Sequence, residues 1–438
     1  MSTDIKSAPI DTTSAAQLAQ NGLRFDFVDD TDIEAFGYWF QAMNRGFLEP
    51  RASDESIDHR RRAFGSRRLT GVWDDAGADP KTPIATASSW IADLTLPGGR
   101  SVPSWAISTI TVAPTHRRRG IARNLLESEL RTAAALGVPV AILTASEATI
   151  YTRFGFAPAA MATNWKIDVQ RAKWVGPTPD GRVHLVPAEA VRDEGGFEIL
   201  ERVRLATPGL IYFDGILWDR LFGIKGISDP DQLRVIRYDD AAGTAQGFAV
   251  YKVNEDEHAA AVDVRFFVAA TDDAYAAMWR FFFEMDLVTS VTASLRPIDE
   301  PFQWQVSDAR AVRKNHEGDH LWTRILDVKS ALEARRYSAP GAFVLHVTDA
   351  LGLSNGIYLL EISTAGIASV RSIEDPEPYD DNHSLALTIS DLSAIYLGGV
   401  PVSMLVHAGR IRELSPGSAL ATDAAFRSEV TPWLSIWF

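Results

Sequence analysis

The spacing of apolar and polar residues predicts strands that alternate with amphipathic helices. Runs rich in β-branched, aromatic or alternating residues predict strands over residues 23–28, 68–73, 83–96 and 101–112. Apolar residues at helical spacing predict helices over residues 32–47 and from Ile121 until Gly137 and Pro139 end the pattern. A short apolar run over residues 138–145 is typical of a buried parallel strand.

The order strand, turn, helix and strand returns in the middle of the chain. Strands are predicted over residues 233–238, 245–253, 261–268 and 288–295, and helices over 197–205, 210–222 and 275–285. Thr271, Asp272 and Asp273 precede the last of these helices and form a good N-cap cluster. Residues 161–310 are therefore predicted to be a degenerate copy of the domain in residues 21–160; an unrelated α+β domain is the alternative.

From residue 311 the pattern changes to a smaller α+β module that ends at residue 438. Its predicted strands cover residues 342–347, 356–362, 368–373 and 384–389, and its predicted helices cover 328–336, 390–397 and 418–427. Ser418 is a possible N-cap for the last helix. The element order of this module is similar to that of sterol-carrier-like domains.

Composition limits the class of protein. The chain has 438 residues, of which 46% are hydrophobic and 23% are charged, as in ordinary globular proteins with several domains. A net charge of −14 argues against nucleic acid and anionic lipid as general partners, and no apolar stretch is long enough for a membrane span. The absence of cysteine excludes disulfides and thiol nucleophiles. Residues 1–20 are polar without a signal-peptide pattern and predict a mobile tail of a cytoplasmic protein.

A basic turn joins the strand at residues 101–112 to the helix that starts at Ile121. It contains Arg117, Arg118, Arg119 and Gly120. Free N–H groups at a helix N-terminus, arginine charge and a glycine that lets a ligand approach the backbone predict a pyrophosphate site. The turn lacks the Gly-Lys-Ser/Thr of a Walker loop and the glycines of a dinucleotide fingerprint. A solvated basic helix start is the alternative.

Three other features of the sequence indicate a functional residue or a packing contact. Tyr151 precedes Gly155-Phe156 after the strand at residues 138–145; the alternative to a functional tyrosine is a core tyrosine with a bonded hydroxyl. Residues 59–68 are a second basic cluster, predicted to be an exposed helix face. The chain ends in Trp433-Leu434-Ser435-Ile436-Trp437-Phe438, and exposure of such side chains would forgo about 1.5–3 kcal/mol each, so we expect this segment to insert into the protein.

These motifs resemble a known enzyme family. Arg117-x-x-Gly120-x-Ala122 after a strand resembles the acetyl-CoA loop of GNAT N-acetyltransferases, and Tyr151-x-x-x-Gly155-Phe156 is similar to a second GNAT motif. With Leu321-Trp322-x-Arg324 and a terminal phenylalanine, the chain resembles the Eis (enhanced intracellular survival) family of aminoglycoside N-acetyltransferases. The resemblance implies two GNAT-like domains of mixed α+β structure, a sterol-carrier-like C-terminal domain and a homo-oligomer, namely a hexamer.

The resemblance also implies roles for particular residues. Tyr151 would be the general acid and the α-carboxylate of Phe438 the general base, with acetyl-CoA as donor, no metal, and a cationic aminoglycoside-like or polyamine-like amine as acceptor. The implied acetyl-CoA contacts are Ile110, Thr111, Val112, Arg118, Arg119, Gly120, Ile121, Ala122, Arg123, Ser146 and Glu147.

General chemistry is consistent with these roles. An α-carboxylate, with an ordinary pKa of about 3.3–3.7, is ionised at neutral pH and can accept an amine proton, and a tyrosine can protonate a leaving thiolate. Trp437 stands where the family can have an acidic residue, so the acceptor pocket is expected to be more aromatic and less acidic. A protein-lysine acetyltransferase and a non-catalytic CoA- or lipid-binding module are the other readings.

Overall fold

The computed structural model describes residues 5–223, 233–256, 259–374 and 383–438. Within them, a large mixed sheet has the strand order β1-β2-β3-β4-β5-β12-β6-β11-β10-β9-β8-β7. Its strands are β1 Arg24–Phe27, β2 Arg68–Trp73, β3 Ala85–Leu96, β4 Arg100–Val112, β5 Val140–Thr144, β6 Ala157–Asp168, β7 Arg182–Val186, β8 Leu233–Asp239, β9 Ala245–Asp256, β10 Ala259–Ala269, β11 Val288–Arg296 and β12 Val312–Ile325.

A second sheet of five strands has the order β15-β14-β13-β16-β17. Its strands are β13 Gly341–Thr348, β14 Gly356–Ile362, β15 Ala368–Ile373, β16 His383–Thr388 and β17 Arg412–Glu413. The helices are α1 Thr12–Ala19, α2 Ile33–Gly46, α3 Asp54–Phe64, α4 Ile121–Ala135, α5 Ala148–Tyr151, α6 Val169–Ala172, α7 Ala188–Arg192, α8 Gly196–Ala206, α9 Gly215–Leu221, α10 Asp272–Phe283, α11 Val328–Ala334, α12 Ile389–Ile395, α13 Val402–His407 and α14 Ser418–Phe426.

The first and second halves of the large sheet repeat one arrangement. In the first half, β4 and β5 are parallel and α4 connects them; in the second half, β10 and β11 are parallel and α10 connects them. Thr271 caps α10 by accepting a hydrogen bond from the Ala274 N–H, as its sequence predicts. The repeat supports a second domain of the same kind as the first, in which the helix start carries Asp272 and Asp273 instead of arginines.

The predicted N-terminal tail contains an ordered helix, so that expectation is wrong. Asp11 caps α1 by accepting from the Ser14 N–H, and Arg131 of α4 donates to Asp11 at 2.8 Å. Leu18 is fully buried and the Ser14 hydroxyl donates to the Asn124 carbonyl at 2.8 Å. The small apolar side chains of α1 stand among polar ones and gave little helical periodicity. They are nevertheless sufficient to pack α1 against α4.

The boundary predicted at residue 311 also differs from the structure, because β12 belongs to the large sheet. β12 pairs with β5 and β6, so it closes the space between the two halves. The C-terminal module begins after it and is attached by a buried ion pair in which Arg324 donates to Asp349 at 2.7 Å. A long strand with few apolar residues in its first half gave no sign of which sheet it would join.

One helix begins later than the pattern predicts, and one predicted N-cap is wrong. The helix expected over residues 210–222 begins at Gly215, because Leu210 and Ile211 are extended and bond to β3, and Asp214 is the N-cap. The N-cap of α14 is Gly417 with a φ of 83°, not Ser418.

Candidate active site

The site lies where β4 and β5 separate. The two strands pair only through Ser104, Trp105 and Ala106 of β4, so the remaining residues of β4 diverge from β5. A bulge opposite Thr86 and Ser88 of β3 accompanies the divergence, and Thr109 has a φ of 55°. The separation leaves a cleft whose walls are the backbone of residues 108–112 and the end of β5. Among the predicted donor contacts, Ile110 borders this cleft, whereas Thr111 is buried and its hydroxyl lies 2.7 Å from that of Thr86.

The basic turn leads into α4 with its backbone open to solvent. Gly120 is the N-cap of α4, has a φ of 75° and makes no side-chain cap. Asn124 donates its N–H to the Gly120 carbonyl at 3.0 Å, so the N–H groups of Ile121, Ala122 and Arg123 have no partner within the helix. These are the groups that hold an anion at a helix start. Arg118, in contrast to most non-glycine residues, also has a positive φ, of 62°.

The arginine side chains around this turn lie at the surface. Arg118 and Arg119 are exposed, and Arg119 donates to the Asn21 carbonyl at 3.2 Å. Arg123 is exposed and pairs with Glu127 at 2.6 Å. A Cβ added to Gly120 would find only the Asn124 amide, 3.8 Å away, so the space above the turn is open. The geometry fits a diphosphate, because free N–H groups, cationic side chains and open space meet at one helix end.

Tyr151 is a buried residue at the end of α5, directly across the cleft from β4. Its ring packs against Phe156 and Trp322, with centroid separations of 6.2 and 6.3 Å. Burial raises the pKa of the Tyr151 phenol, and the negative charge of Glu147 adds to the shift. The phenol therefore stays protonated at neutral pH and can donate a proton.

The C-terminal segment inserts into the protein, as its apolar composition predicts. Leu434 is fully buried, and His320 of β12 donates from Nε2 to the Ile436 carbonyl at 2.8 Å. The last residue is fixed by β5: the Thr144 hydroxyl donates to an oxygen of Phe438 at 2.8 Å and accepts from the Phe438 N–H at 3.4 Å. The Phe438 ring packs edge-on against Trp90, with centroids 5.3 Å apart.

Tyr151 and Phe438 border the same cavity of about 320 Å³. Ser146, Ile110 and Thr144 also border it, so residues separated by more than 300 positions meet at the cleft. Glu147 is an exposed residue that precedes α5 and lies outside this lining, as do Thr111, Val112 and the residues of the basic turn. The structure thus separates the predicted residues into a cavity group and a helix-start group at the two ends of the cleft.

Sequence reasoning missed the arginines of the cavity. Arg60, Arg67 and Arg220 border it, together with an aromatic wall that includes Phe40, Phe64 and Trp437. The expectation of an exposed basic helix face over residues 59–68 is wrong for Arg67 and Arg68, which are 6% and 1% exposed. The available signal was the position of Arg67 and Arg68, which follow Phe64-Gly65-Ser66 and lead into the apolar part of β2 that starts with Leu69.

A second cavity, of about 590 Å³, adjoins the first and shares Leu217, Arg220 and Trp437 with it. His320 borders it, and burial lowers the pKa of its imidazole to about 4, although the Ile436 carbonyl and Asp319 oppose the shift. In the described part of the chain, no helix is long and apolar enough to cross a membrane, and no cluster of three or more His, Asp or Glu side chains is arranged to hold a metal ion.

Comparisons with known protein families find three domains in the chain. Residues 28–159 and 214–340 each match an acetyltransferase (GNAT) domain, and residues 328–435 match a sterol carrier protein domain. The second match confirms that the middle of the chain is GNAT-like rather than an unrelated domain. The third confirms the element-order resemblance of the C-terminal module.

Relatives are similar over nearly the full length. An uncharacterized N-acetyltransferase of Streptomyces avermitilis is 34% identical over 422 residues, which cover 92% of this chain and 98% of that protein. The N-acetyltransferase Eis of Mycobacterium bovis is 33% identical over 363 residues, which cover 81% of this chain and 86% of that protein. The crystal structure of Eis1 from Mycobacterium abscessus superimposes with a TM-score of 0.79 at 29% identity, covering 94% of this chain and 100% of that one.

Proposed function

The chain belongs to the Eis family of GNAT N-acetyltransferases, and from this premise we propose that it transfers the acetyl group of acetyl-CoA directly to a primary amine, with Tyr151 as general acid and the Phe438 α-carboxylate as general base. The observation that carries the proposal is the shared cavity: a protonated buried phenol and an inserted C-terminus face it from opposite elements.

The donor would lie along the cleft between β4 and β5. The N–H groups at the start of α4 and the side chains of Arg118, Arg119 and Arg123 would hold its pyrophosphate. Backbone groups of Ile110 to Val112, free of β5, would bind the pantetheine arm, and Ser146 and Glu147 would lie near its reactive end. Bound acetyl-CoA supplies an activated acetyl group as a thioester.

The amine acceptor would enter the cavity beside the C-terminus. The Phe438 carboxylate, oriented by Thr144, would accept the proton that the ammonium group must lose before it attacks. The amine nitrogen then forms a bond to the acetyl carbonyl carbon and the carbon–sulfur bond breaks. Tyr151 would donate its proton to the departing thiolate, and a backbone N–H near Thr111 and Val112 would stabilise the developing oxyanion. The bonded nitrogen loses its second proton, which restores the Tyr151 phenol, so the products are an N-acetyl amine, free CoA and the proton accepted by Phe438.

The family resemblance extends to aminoglycoside-like or polyamine-like cationic acceptors and to a hexamer; we keep both as proposals. The same resemblance favours an enzyme over a passive carrier, because a CoA or lipid carrier needs neither a protonated tyrosine nor a carboxylate in its cavity.

The direct test is thiol release from acetyl-CoA by the full chain with a panel of amines, with acetylated product identified by mass spectrometry. The panel should contain aminoglycosides, polyamines, lysine peptides and small arylalkylamines. Amine-dependent thiol release with matching N-acetyl product is expected for at least one class. Thiol release that is independent of every amine, without acetylated product, would contradict the proposal.

A further inference from the structure

The acceptor end of the cavity carries more positive than negative charge. The guanidinium groups of Arg60, Arg67 and Arg220 border it, whereas its carboxylates are Glu49 and the C-terminus of Phe438. A cavity that must admit a protonated amine gains nothing from three arginines, because like charges repel in a partly desolvated site. The arginines therefore call for another explanation than attraction of a cation.

Among the three arginines, Arg67 is buried and lacks a charged partner among the described residues. It is 6% exposed, and its guanidinium, including the buried Nε, makes no hydrogen bond or ion pair with any described residue. Its described side-chain contacts are aromatic faces, with Cζ 3.8 Å from the Trp90 centroid and 5.0 Å from that of Phe64. Buried arginines are normally paired, since an unpaired buried charge is costly.

The charge of Asp214 offsets only part of the cost of burying the Arg67 guanidinium. Its pKa is lowered to about 10, chiefly by burial; the charge of Asp214 opposes the shift, and those of Arg220 and Arg60 add to it. Burial likewise lowers the pKa of Arg60, Arg220 lowers it further, and Glu49 opposes both. Arg60 makes no hydrogen bond to a described residue either, and lies 6.0 Å from the Phe40 ring centroid. The guanidinium groups of Arg60 and Arg67 therefore have no hydrogen-bond acceptor among the described residues that border the cavity.

The position of Arg67 links this charge to the reacting group. The Arg67 guanidinium lies on the face of the Trp90 indole, and the same indole packs against the Phe438 ring, so Trp90 contacts both Arg67 and the C-terminal residue. Arg220 donates to the Trp437 carbonyl at 3.4 Å, which places a third positive charge beside the C-terminal segment. Apolar side chains form one part of the wall, namely those of Phe40, Met43, Phe47, Phe64 and Ile107, and the hydroxyl-bearing residues Ser108, Thr109, Thr144, Ser146 and Tyr151 form another.

Building on the proposed acetyl transfer, we propose that the acceptor is a small aryl or apolar amine that also carries a carboxylate, held by Arg67 and Arg60 while its amino group lies at the Phe438 carboxylate. A guanidinium matches a carboxylate in two parallel hydrogen bonds, and the aromatic wall would bury the body of the ligand. Among the primary amines of the proposed function, this inference favours a carboxylated monoamine over the aminoglycoside-like and polyamine-like classes, because a polycation would leave the arginines unpaired and add repulsion.

Matched acceptors test the proposal on the wild-type chain. The pairs are benzylamine against para-(aminomethyl)benzoate, and phenethylamine against phenylalanine, with kanamycin as polycationic acceptor and para-(aminomethyl)phenylphosphonate as the other oxyanion. We expect the carboxylate of at least one pair to raise kcat/KM by about 10-fold or more, in line with a charge-assisted hydrogen-bonded pair. If the phosphonate had a higher kcat/KM than the carboxylate, the recognised group would be a phosphate-like oxyanion, and the proposal of a carboxylated acceptor would be wrong.

Arginine variants locate the effect. Arg67→Gln and Arg60→Gln should each lower kcat/KM for the carboxylated acceptor roughly 10- to 100-fold through KM, and change that for its uncharged partner by less than about 3-fold. Arg62→Gln is the control. Arg62 lies on α3 with Arg60, its side chain is 71% exposed, and it pairs with Asp58 outside the cavity. If Arg67→Gln lowers the melting temperature, Arg60→Gln replaces it as the test, because Arg60 is only half-buried.

Besides a faster phosphonate, three results would overturn the inference. The wild type could prefer kanamycin or uncharged amines, or the carboxylate preference could survive both substitutions. An equal loss of acetyl-CoA affinity would assign the arginines to the donor. If amines are acetylated without preference for carboxylates, only this inference fails. If no amine at all is acetylated, the proposed function itself fails.

Discussion

At the scale of single residues, the account depends on a tyrosine whose surroundings keep it protonated. Burial raises the pKa of Tyr151 and Glu147 adds to it, so the phenol can serve as a proton donor but not as a base at neutral pH. The sequence predicted this residue from its spacing to Gly155 and Phe156. Only the family resemblance implied that Phe438 shares a site with Tyr151, because local patterns carry no information about positions nearly 300 residues apart that border one cavity.

Tyr151→Phe should lower kcat about 10²- to 10⁴-fold while the Kd for acetyl-CoA stays within about 2-fold, because only the proton donor is removed and the ring still packs against Phe156 and Trp322. Stopped-flow thiol release and calorimetric CoA binding measure the two quantities. Tyr38→Phe is the control, since the Tyr38 hydroxyl bonds to Glu34 at the surface. Full turnover in Tyr151→Phe would remove the tyrosine from the reaction.

The arginines show what residue-level sequence reading lacks. Charge density predicts exposure on average, and Arg61 and Arg62 of the same cluster do pair with Asp58 on the surface. Arg67 departs from the average because it follows the end of α3, where the chain turns inward toward β2. Such a turn is set by tertiary packing and not by local propensity.

At the scale of elements, periodicity predicts the fold well where an element has one buried face. The predicted helix over residues 32–47 corresponds to α2, and the predicted strands over 356–362 and 368–373 coincide with β14 and β15. It fails for α1, which is short and weakly apolar, and for the sheet membership of β12. It also could not show that β4 and β5 diverge after three pairs, although the cleft depends on that divergence.

The start of α4 provides a test at this scale. Gly120→Asp should weaken acetyl-CoA binding by at least about 10-fold, because a carboxylate would sit where free N–H groups and arginines attract a diphosphate. Calorimetry on the full chain measures it. Gly137→Asp is a matched control: Gly137 follows the other end of the same helix, has a φ of 72° and faces open space. Equal affinity in the two variants would place the pyrophosphate elsewhere.

At the scale of the whole molecule, all three parts of the chain meet at the last six residues. Trp433 contacts the second domain through the Arg296 guanidinium, His320 of β12 holds Ile436, and Thr144 of the first domain holds Phe438. Family motifs could suggest the destination of this tail. Its anchors could not be predicted, because they come from separate strands.

His320 makes this anchoring sensitive to acid. Its pKa is about 4 in the folded chain and about 6.5 when unfolded, so the unfolded chain binds a proton that the folded chain excludes. The associated stability is fully present above pH ~6.5 and falls by roughly 3 kcal/mol as the pH drops toward ~4.

Urea unfolding at a series of pH values should show this slope in the wild type and lose most of it in His320→Gln. His407→Gln, at an exposed position on α13, is the control. A slope that is unchanged in His320→Gln would mean that other groups control the acid response.

The central claim, that the α-carboxylate of Phe438 acts as the base, is tested most directly by extending the chain by three neutral residues beyond Phe438. We predict that kcat falls at least about 10²-fold, while acetyl-CoA affinity and melting temperature match those of a chain carrying the same extension at its N-terminus. An extended enzyme that turns over at the wild-type rate would contradict the account.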